Sequence, residues 1–138
     1  MGEAFSFDYD LPNDTAYSES CAAIALAFFA RRMLEIQPKS EYADVMESAL
    51  YNTTLAGMAL DGKSFFYVNP LEVVPEACHR DERKAHVKPV RQKWFGCACC
   101  PPNIARIVEG RAAVRLHDRR TTHPPCMCIC IWAAASMP

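Results

Sequence analysis

The stretch Ser20-Cys-Ala-Ala-Ile-Ala-Leu-Ala-Phe-Phe-Ala-Arg-Arg-Met-Leu-Glu-Ile36 decides the fold. Good helix formers dominate it, and its centre, Ala22-Ala-Ile-Ala-Leu-Ala-Phe-Phe-Ala30, is apolar on every side. A helix over 20–36 must therefore be buried among other elements. The apolar run over 21–30 is closed by Arg31 and Arg32, well short of the roughly 20 residues a membrane span needs. A mainly α fold without a membrane span is the expectation.

Working outward, Gln37-Pro38-Lys39 ends that helix and Ser40 is the expected N-cap of the next. Tyr42, Val45, Met46, Ala49 and Leu50 repeat at helical spacing, through about Asn52. Residues 55–60 and 63–69 flank Asp61-Gly62, the signal of a type I′ turn, and the second arm, Phe65-Phe66-Tyr67-Val68, is aromatic and β-branched. A β-hairpin is predicted there. Residues 70–90 hold three prolines, several charges and two histidines without a period, which reads as a long ordered loop. Pro101 and Pro102 open a short helix just after Cys100, and Gly110 stops it. On the other side, residues 1–18 mix Asp, Asn, Pro and aromatics and read as irregular. Two helices, a hairpin and one short helix cannot cover the apolar helix, so the chain reads as a piece of a larger, mainly α domain without internal repeats.

The 138 residues are 51% hydrophobic and 22% charged, a globular composition, with a formal charge of −1. Near-neutrality offers no field to gather phosphates, so neither nucleic acid nor an anionic membrane is an expected partner. The start, Met1-Gly-Glu-Ala-Phe-Ser6, carries an acid and no basic region, which does not support a cleaved secretion signal. Gly2 with Ser6 satisfies the loose myristoylation pattern, which is too short to weigh.

Eight cysteines fall short of a disulfide scaffold's density. Six lie in two tight groups, Cys97-Ala-Cys99-Cys100 and Cys126-Met-Cys128-Ile-Cys130, where partners are too close for bridges that close long loops. Metal binding or thiol chemistry in a reducing, cytoplasmic setting fits better. Glu19 and Cys21, at i and i+2, share a face only in an extended segment; if they act together, they do so just before the helix begins. Cys100 precedes Pro101 and is biased to an extended conformation, and the helix that follows favours a thiolate at Cys99 or Cys100. Three thiolates, or two with a carboxylate, suit tetrahedral Zn²⁺, and Glu19, Cys21, Cys99 and Cys100 could supply one such set. Taken singly, Cys21 also reads as a small buried hydrophobe and Glu19 as a solvated first-turn acid. The two pairs lie too far apart in sequence for a compact zinc finger or ribbon, which favours a site assembled by the fold.

Several segments are similar to a known family. Gly2-Glu-Ala-Phe5, Phe7-Asp-Tyr-Asp-Leu-Pro-Asn-Asp14, Glu19-Ser-Cys21, Phe66-Tyr-Val-Asn69 and above all Trp94-Phe-Gly-Cys-Ala-Cys-Cys-Pro-Pro-Asn103 resemble the glycoside hydrolase family 127 (GH127) β-L-arabinofuranosidases over residues 2–110. The resemblance implies a fragment of an (α/α)6 barrel with a β-hairpin insertion over residues 1–110, acting on a carbohydrate. It places Glu3 as the general acid/base, and Glu19, Cys21 and Cys100 as zinc ligands. It also implies that Cys99 is both ligand and nucleophile, and that Tyr67 and Glu47 match positions lining the sugar pocket. It also implies a missing front half of the barrel, so the isolated chain is expected to be inactive.

Apart from the resemblance, Glu3 reads as a frayed solvated acid and Tyr67 as a core or sheet-surface tyrosine. His79 and His86 read as solvent-facing, and Cys78 and Cys97 as buried thiols. Beyond Gly110 the pattern breaks. Reading one base earlier from Pro125 permits Thr-Leu-Tyr-Val-His-Leu-Tyr-Met-Gly-Ser, which resembles the strand opening the family's β-sandwich, so residues 111–138 read as a frameshifted or disordered tail. Taken at face value, Cys126, Cys128 and Cys130 would share one strand face and bind a soft metal. The competing reading is a non-enzymatic metal-binding or redox module that uses both the Cys97 to Cys100 and the Cys126 to Cys130 clusters.

Overall fold

The computed structural model describes residues 3, 4 and 6–109; the expectations for the tail, Cys126, Cys128 and Cys130 included, lie outside the described residues. The architecture is mainly helical: α1 (Ser20–Ile36), α2 (Ser40–Ser48), a π-helical continuation (Ala49–Leu55) and α3 (Cys100–Glu109). Short 3-10 turns at Pro75–Ala77 and Glu82–Lys84 punctuate the long loop. No helix among the described residues is long and apolar enough to cross a membrane.

α1 runs over the span its sequence predicts and buries Ser20, Ile24, Ala27, Ala30 and Leu34. Its outward Leu26, Phe29 and Ile36 stay exposed, which agrees with a helix short of neighbours. Ala30 and Leu34 pack on Ala43 and Met46 of α2. Ile24 and Ala27 pack on Ala49, Leu50, Phe65, Cys100, Ile104 and Ile107, which ties α1 to the π-helical segment and α3. Ile24 and Cys100 are 0% exposed.

Two expectations are corrected here. Ser40 is not an N-cap: Lys39 occupies that position in an extended conformation, without a side-chain cap, and Ser40 is already helical. The residues after 48 also do not continue as an α-helix. The winding loosens to π, and the Thr54 hydroxyl donates to the Ala49 carbonyl five residues back.

The predicted hairpin is reduced to a turn. Residues 55–57 remain helical, and the helix end is capped from far along the chain: Arg91 donates through Nε to Gly57 O at 3.1 Å and through Nη2 to Ala56 O at 2.7 Å. A cation on the last carbonyls of a helix stabilises that end, so the first arm is withheld from a strand. The Asp61-Gly62 turn does form, with Gly62 at φ +67°, a left-handed conformation that glycine adopts without strain. One antiparallel bridge, Met58 to Phe65, spans it. No strand is present among the described residues, only isolated bridges; two others join Glu19 to Val68 and Phe65 to Gln92.

Candidate metal and thiol centre

The Glu19–Val68 bridge sets the first half of the site. Ser20 N–H donates to Tyr67 O at 2.9 Å and Asn69 N–H to Ser18 O at 3.0 Å, which lays Glu19 alongside Tyr67 and Val68. Ser18 takes a left-handed φ of 39°, held by a second bond from Asn69 Nδ2 to its carbonyl. The buried Ser20 hydroxyl donates to Phe66 O at 2.8 Å and accepts from Asn69 Nδ2 at 3.1 Å. Glu19 is extended (φ −66°, ψ 139°) and precedes α1 without capping it. Its carboxylate is therefore available elsewhere, while Cys21 sits in the first turn of α1.

The second half comes from α3. Cys100 is its first residue and Cys99 immediately precedes it. Packing α1 against α3 through Ile24, Ile104 and Ile107 brings the two helix starts together. The result is a cluster of Glu19, Cys21, Cys99 and Cys100, with one ligand atom from each within 4.8 Å of all the others, that could hold a metal ion. Cys21 Sγ lies 3.4 Å from Cys100 Sγ, and Cys99 Sγ lies 3.9 Å from Cys100 Sγ. Glu19 Oε1 accepts from Cys99 Sγ at 3.3 Å and lies 4.0 Å from Cys100 Sγ. Two helix N-termini meeting at one group of anionic donors is electrostatically favourable.

Polar groups surround the sulfurs. The Tyr67 hydroxyl is 3.0 Å from Cys99 Sγ, and Asn103 Nδ2 donates to Cys21 Sγ at 3.2 Å. Phe95 packs on both Tyr67 and Phe65, with ring centroids 5.5 and 5.1 Å apart. The hydrogen bond to Cys99, and then burial, hold the Tyr67 hydroxyl well above the usual phenol range.

The low thiol pKa expected at Cys99 and Cys100 is not what the protein environment alone produces. Burial pushes the Cys99 thiol up to about 11, against the lowering bond from Tyr67 and with further raising by Cys21 and Glu19. Cys100 is raised in the same way, by burial and then by Cys21. The helix starts are outweighed by desolvation and by neighbours of like charge. A cation among the four donors would reverse that balance, because coordination deprotonates a thiol outright.

The other residues singled out are not among these four donors, although the Cys97 side chain bonds Tyr67 and Cys99. Glu3 is exposed in a bend and its charge helps to raise Tyr17, behind burial and Glu19. Glu47 is exposed on α2, in a shallow cleft lined with Asp44, Ser48, Tyr51 and Asn52. Cys78 is buried as expected, whereas Cys97 is exposed, and a backbone hydrogen bond at Cys99 lowers its thiol pKa. His79 faces solvent, but His86 does not. Its Nε2 is buried without a partner and its ring lies 5.2 Å from that of Tyr17; burial lowers its pKa. Asn103 and Tyr17 were not singled out as site residues from the sequence. Asn103 could have been, since it stands one helical turn beyond Cys99.

Comparison with known proteins now bears on this geometry. Residues 1–112 match the family model "Beta-L-arabinofuranosidase, GH127 catalytic domain", and the chain belongs to that family. It is 54% identical over 108 residues to a non-reducing end beta-L-arabinofuranosidase of Bifidobacterium longum subsp. longum, covering 78% of this chain and 16% of that protein. A crystal structure of a GH127 beta-L-arabinofuranosidase from Geobacillus stearothermophilus T6 superposes with a TM-score of 0.71 at 70% identity, over 75% of this chain and 16% of that one. A second solved structure, described as a glycoside hydrolase, gives 0.62 at 40% identity, over 72% and 16%. The chain thus spans about a sixth of the length of these relatives.

Proposed function

We propose that this chain is part of the (α/α)6 catalytic barrel of a retaining glycosidase that hydrolyses β-L-arabinofuranosides or related sugars. Glu19, Cys21, Cys99 and Cys100 would hold Zn²⁺. The convergence of these four residues with Tyr67 on Cys99 is the observation that carries the reading. Four donors about 2.0–2.3 Å from a tetrahedral zinc stand about 3.5–3.8 Å from one another; four of the six pairs here stand 3.3, 3.4, 3.9 and 4.0 Å apart, and all lie within 4.8 Å.

When bound, the ion would keep the sulfurs deprotonated and fixed; with three thiolates and a carboxylate the formal charge is 2 − 4 = −2, which leaves sulfur electron-rich. The residues of the chain then do the chemistry. Cys99 Sγ attacks the anomeric carbon as the glycosidic C–O bond breaks, and Glu3, protonated, gives its proton to the departing oxygen. Glu3 next takes a proton from the water that displaces Cys99 sulfur. Two inversions give retention. Proton transfer of this kind contributes about 10²- to 10⁴-fold. Tyr67 and Glu47 contact the sugar, and the Tyr67 hydroxyl orients Cys99.

The sequence of residues 111–138 reads as the product of a frameshift; in support, the family match ends at residue 112, close to where the pattern breaks. The isolated chain lacks most of the barrel and is inactive or nearly so. The DNA on both sides of the coding segment tests this. Joining residues 1–110 to the barrel encoded there should give an enzyme that releases L-arabinose and loses activity in Cys99→Ala and in Glu3→Gln. Clear turnover by the 138-residue chain alone, or full activity in Cys99→Ala, would contradict it.

A further inference from the structure

We infer that Asn103 is a positioning residue for the metal centre: its side-chain amide N–H, donated to Cys21 Sγ, holds the Cys21 thiolate in place and draws charge from it. The inference rests on the metal reading above. Asn103 lies in the first turn of α3, its backbone N–H donating to Cys99 O at 3.4 Å. Its Nδ2 reaches across to α1 and meets Cys21 Sγ at 3.2 Å. One residue therefore spans both helices that supply the sulfurs.

The chemistry explains why a neutral donor belongs there. A cluster of formal charge −2 gains from any N–H aimed at its sulfur, and an amide supplies that without adding a cation that would compete for Glu19. Cys99 receives the Tyr67 hydroxyl and Cys21 receives the Asn103 amide. The hydrogen bonds of Cys100, buried at the junction of the helices, go to Cys21, Cys99 and Glu19. Outer partners of metal ligands typically contribute about 10- to 100-fold in metal affinity.

The test uses the full 138-residue chain loaded with Co²⁺ alone. Asn103→Leu removes the donor, and Asn103→Asp replaces it with a charge of the wrong sign. Cobalt affinity, by competition with a chromophoric chelator, should fall about 10-fold in Asn103→Leu and toward 100-fold in Asn103→Asp. The sulfur-to-cobalt charge-transfer band should move to lower energy in Asn103→Leu, because the sulfur lone pair loses its hydrogen bond. A purely structural role makes the opposite forecast for Asn103→Asp, since an acid in the first turn of a helix is favourable. Wild-type affinity with an unmoved band in both variants overturns the inference. If either variant fails to fold, wild-type protein loaded with ¹¹³Cd²⁺ decides: the Asn103 side-chain amide should couple to cadmium through the hydrogen bond, and absence of coupling overturns the inference. Wild-type protein that takes up no metal would instead remove the metal reading itself.

Discussion

The Tyr67 hydroxyl stands 3.0 Å from Cys99 Sγ, joining the segment that pairs with Glu19 to the residue immediately before α3. That bond lowers the Cys99 thiol pKa against the burial that raises it. Hydrogen bonds to charged groups contribute about 1.5–3 kcal/mol when well shielded, and partial exposure of this pair argues for less. Tyr67→Phe should slow iodoacetamide alkylation of Cys99 in the metal-free protein by about 3- to 10-fold, read by peptide mapping at fixed mildly alkaline pH. An unchanged rate would mean that the hydroxyl does not act on the thiol.

Gly57 is buried, and a Cβ there would meet Asn69 Oδ1 at 3.2 Å. Asn69 cannot easily yield, because its Nδ2 bonds both Ser18 O and Ser20 Oγ. Gly57→Ala should therefore destabilise by about 1 kcal/mol, although glycine-to-alanine changes in compatible helical positions usually stabilise. In an Asn69→Ala background the same change should be neutral or favourable. Urea denaturation of the four proteins of that cycle measures it, and equal effects in both backgrounds would refute the contact.

The buried Lys84 forms an ion pair with Asp14. The bond to Lys84 holds Asp14 below its ordinary 3.8, and the bond to Asp14 holds Lys84 above its ordinary 10.5. A depressed carboxylate contributes stability that is present above its unfolded pKa and lost as pH falls through the lower folded value. A raised lysine contributes stability that is present below its unfolded pKa and lost as pH rises through the higher folded value. Lys84→Met, which keeps the apolar stem, should lower Tm by a constant amount between about pH 5 and 9 and converge with wild type as pH falls below 3.8 and through the lower folded value of Asp14. A gap that persists in acid would assign the effect to packing.

Much of the fold is legible in the sequence because its signals are local. The bounds of α1 follow from Gln37-Pro38-Lys39, and the start of α3 from Pro101-Pro102, close to the observed Ser20–Ile36 and Cys100–Glu109. What was missed depends on distant partners. Arg91 caps the helix end at Ala56 and Gly57 from over thirty residues away, so the start of the predicted first arm, residues 55–57, stays helical. The π winding at Ala49 follows the buried Thr54 hydroxyl, which periodicity does not encode. Grouping Glu19, Cys21, Cys99 and Cys100 needed only the donor types and two helix starts. The raised pKa values of Cys99 and Cys100 needed the burial, which no spacing reveals. His86 was read as solvent-facing because its surroundings are charged, yet Tyr17 covers its ring.

If the tail takes no part in the site, Cys126→Ser, Cys128→Ser and Cys130→Ser combined should leave bound zinc and its affinity unchanged. Loss of zinc in this triple variant would favour the alternative of a cysteine-cluster metal or redox module.

Zinc content of the purified 138-residue chain and of its Cys21→Ala and Cys100→Ala variants, by elemental analysis after dialysis, is the most direct measurement. One zinc per wild-type chain and essentially none in either variant is the predicted result. Equal zinc in all three proteins, or none in the wild type, would contradict the account.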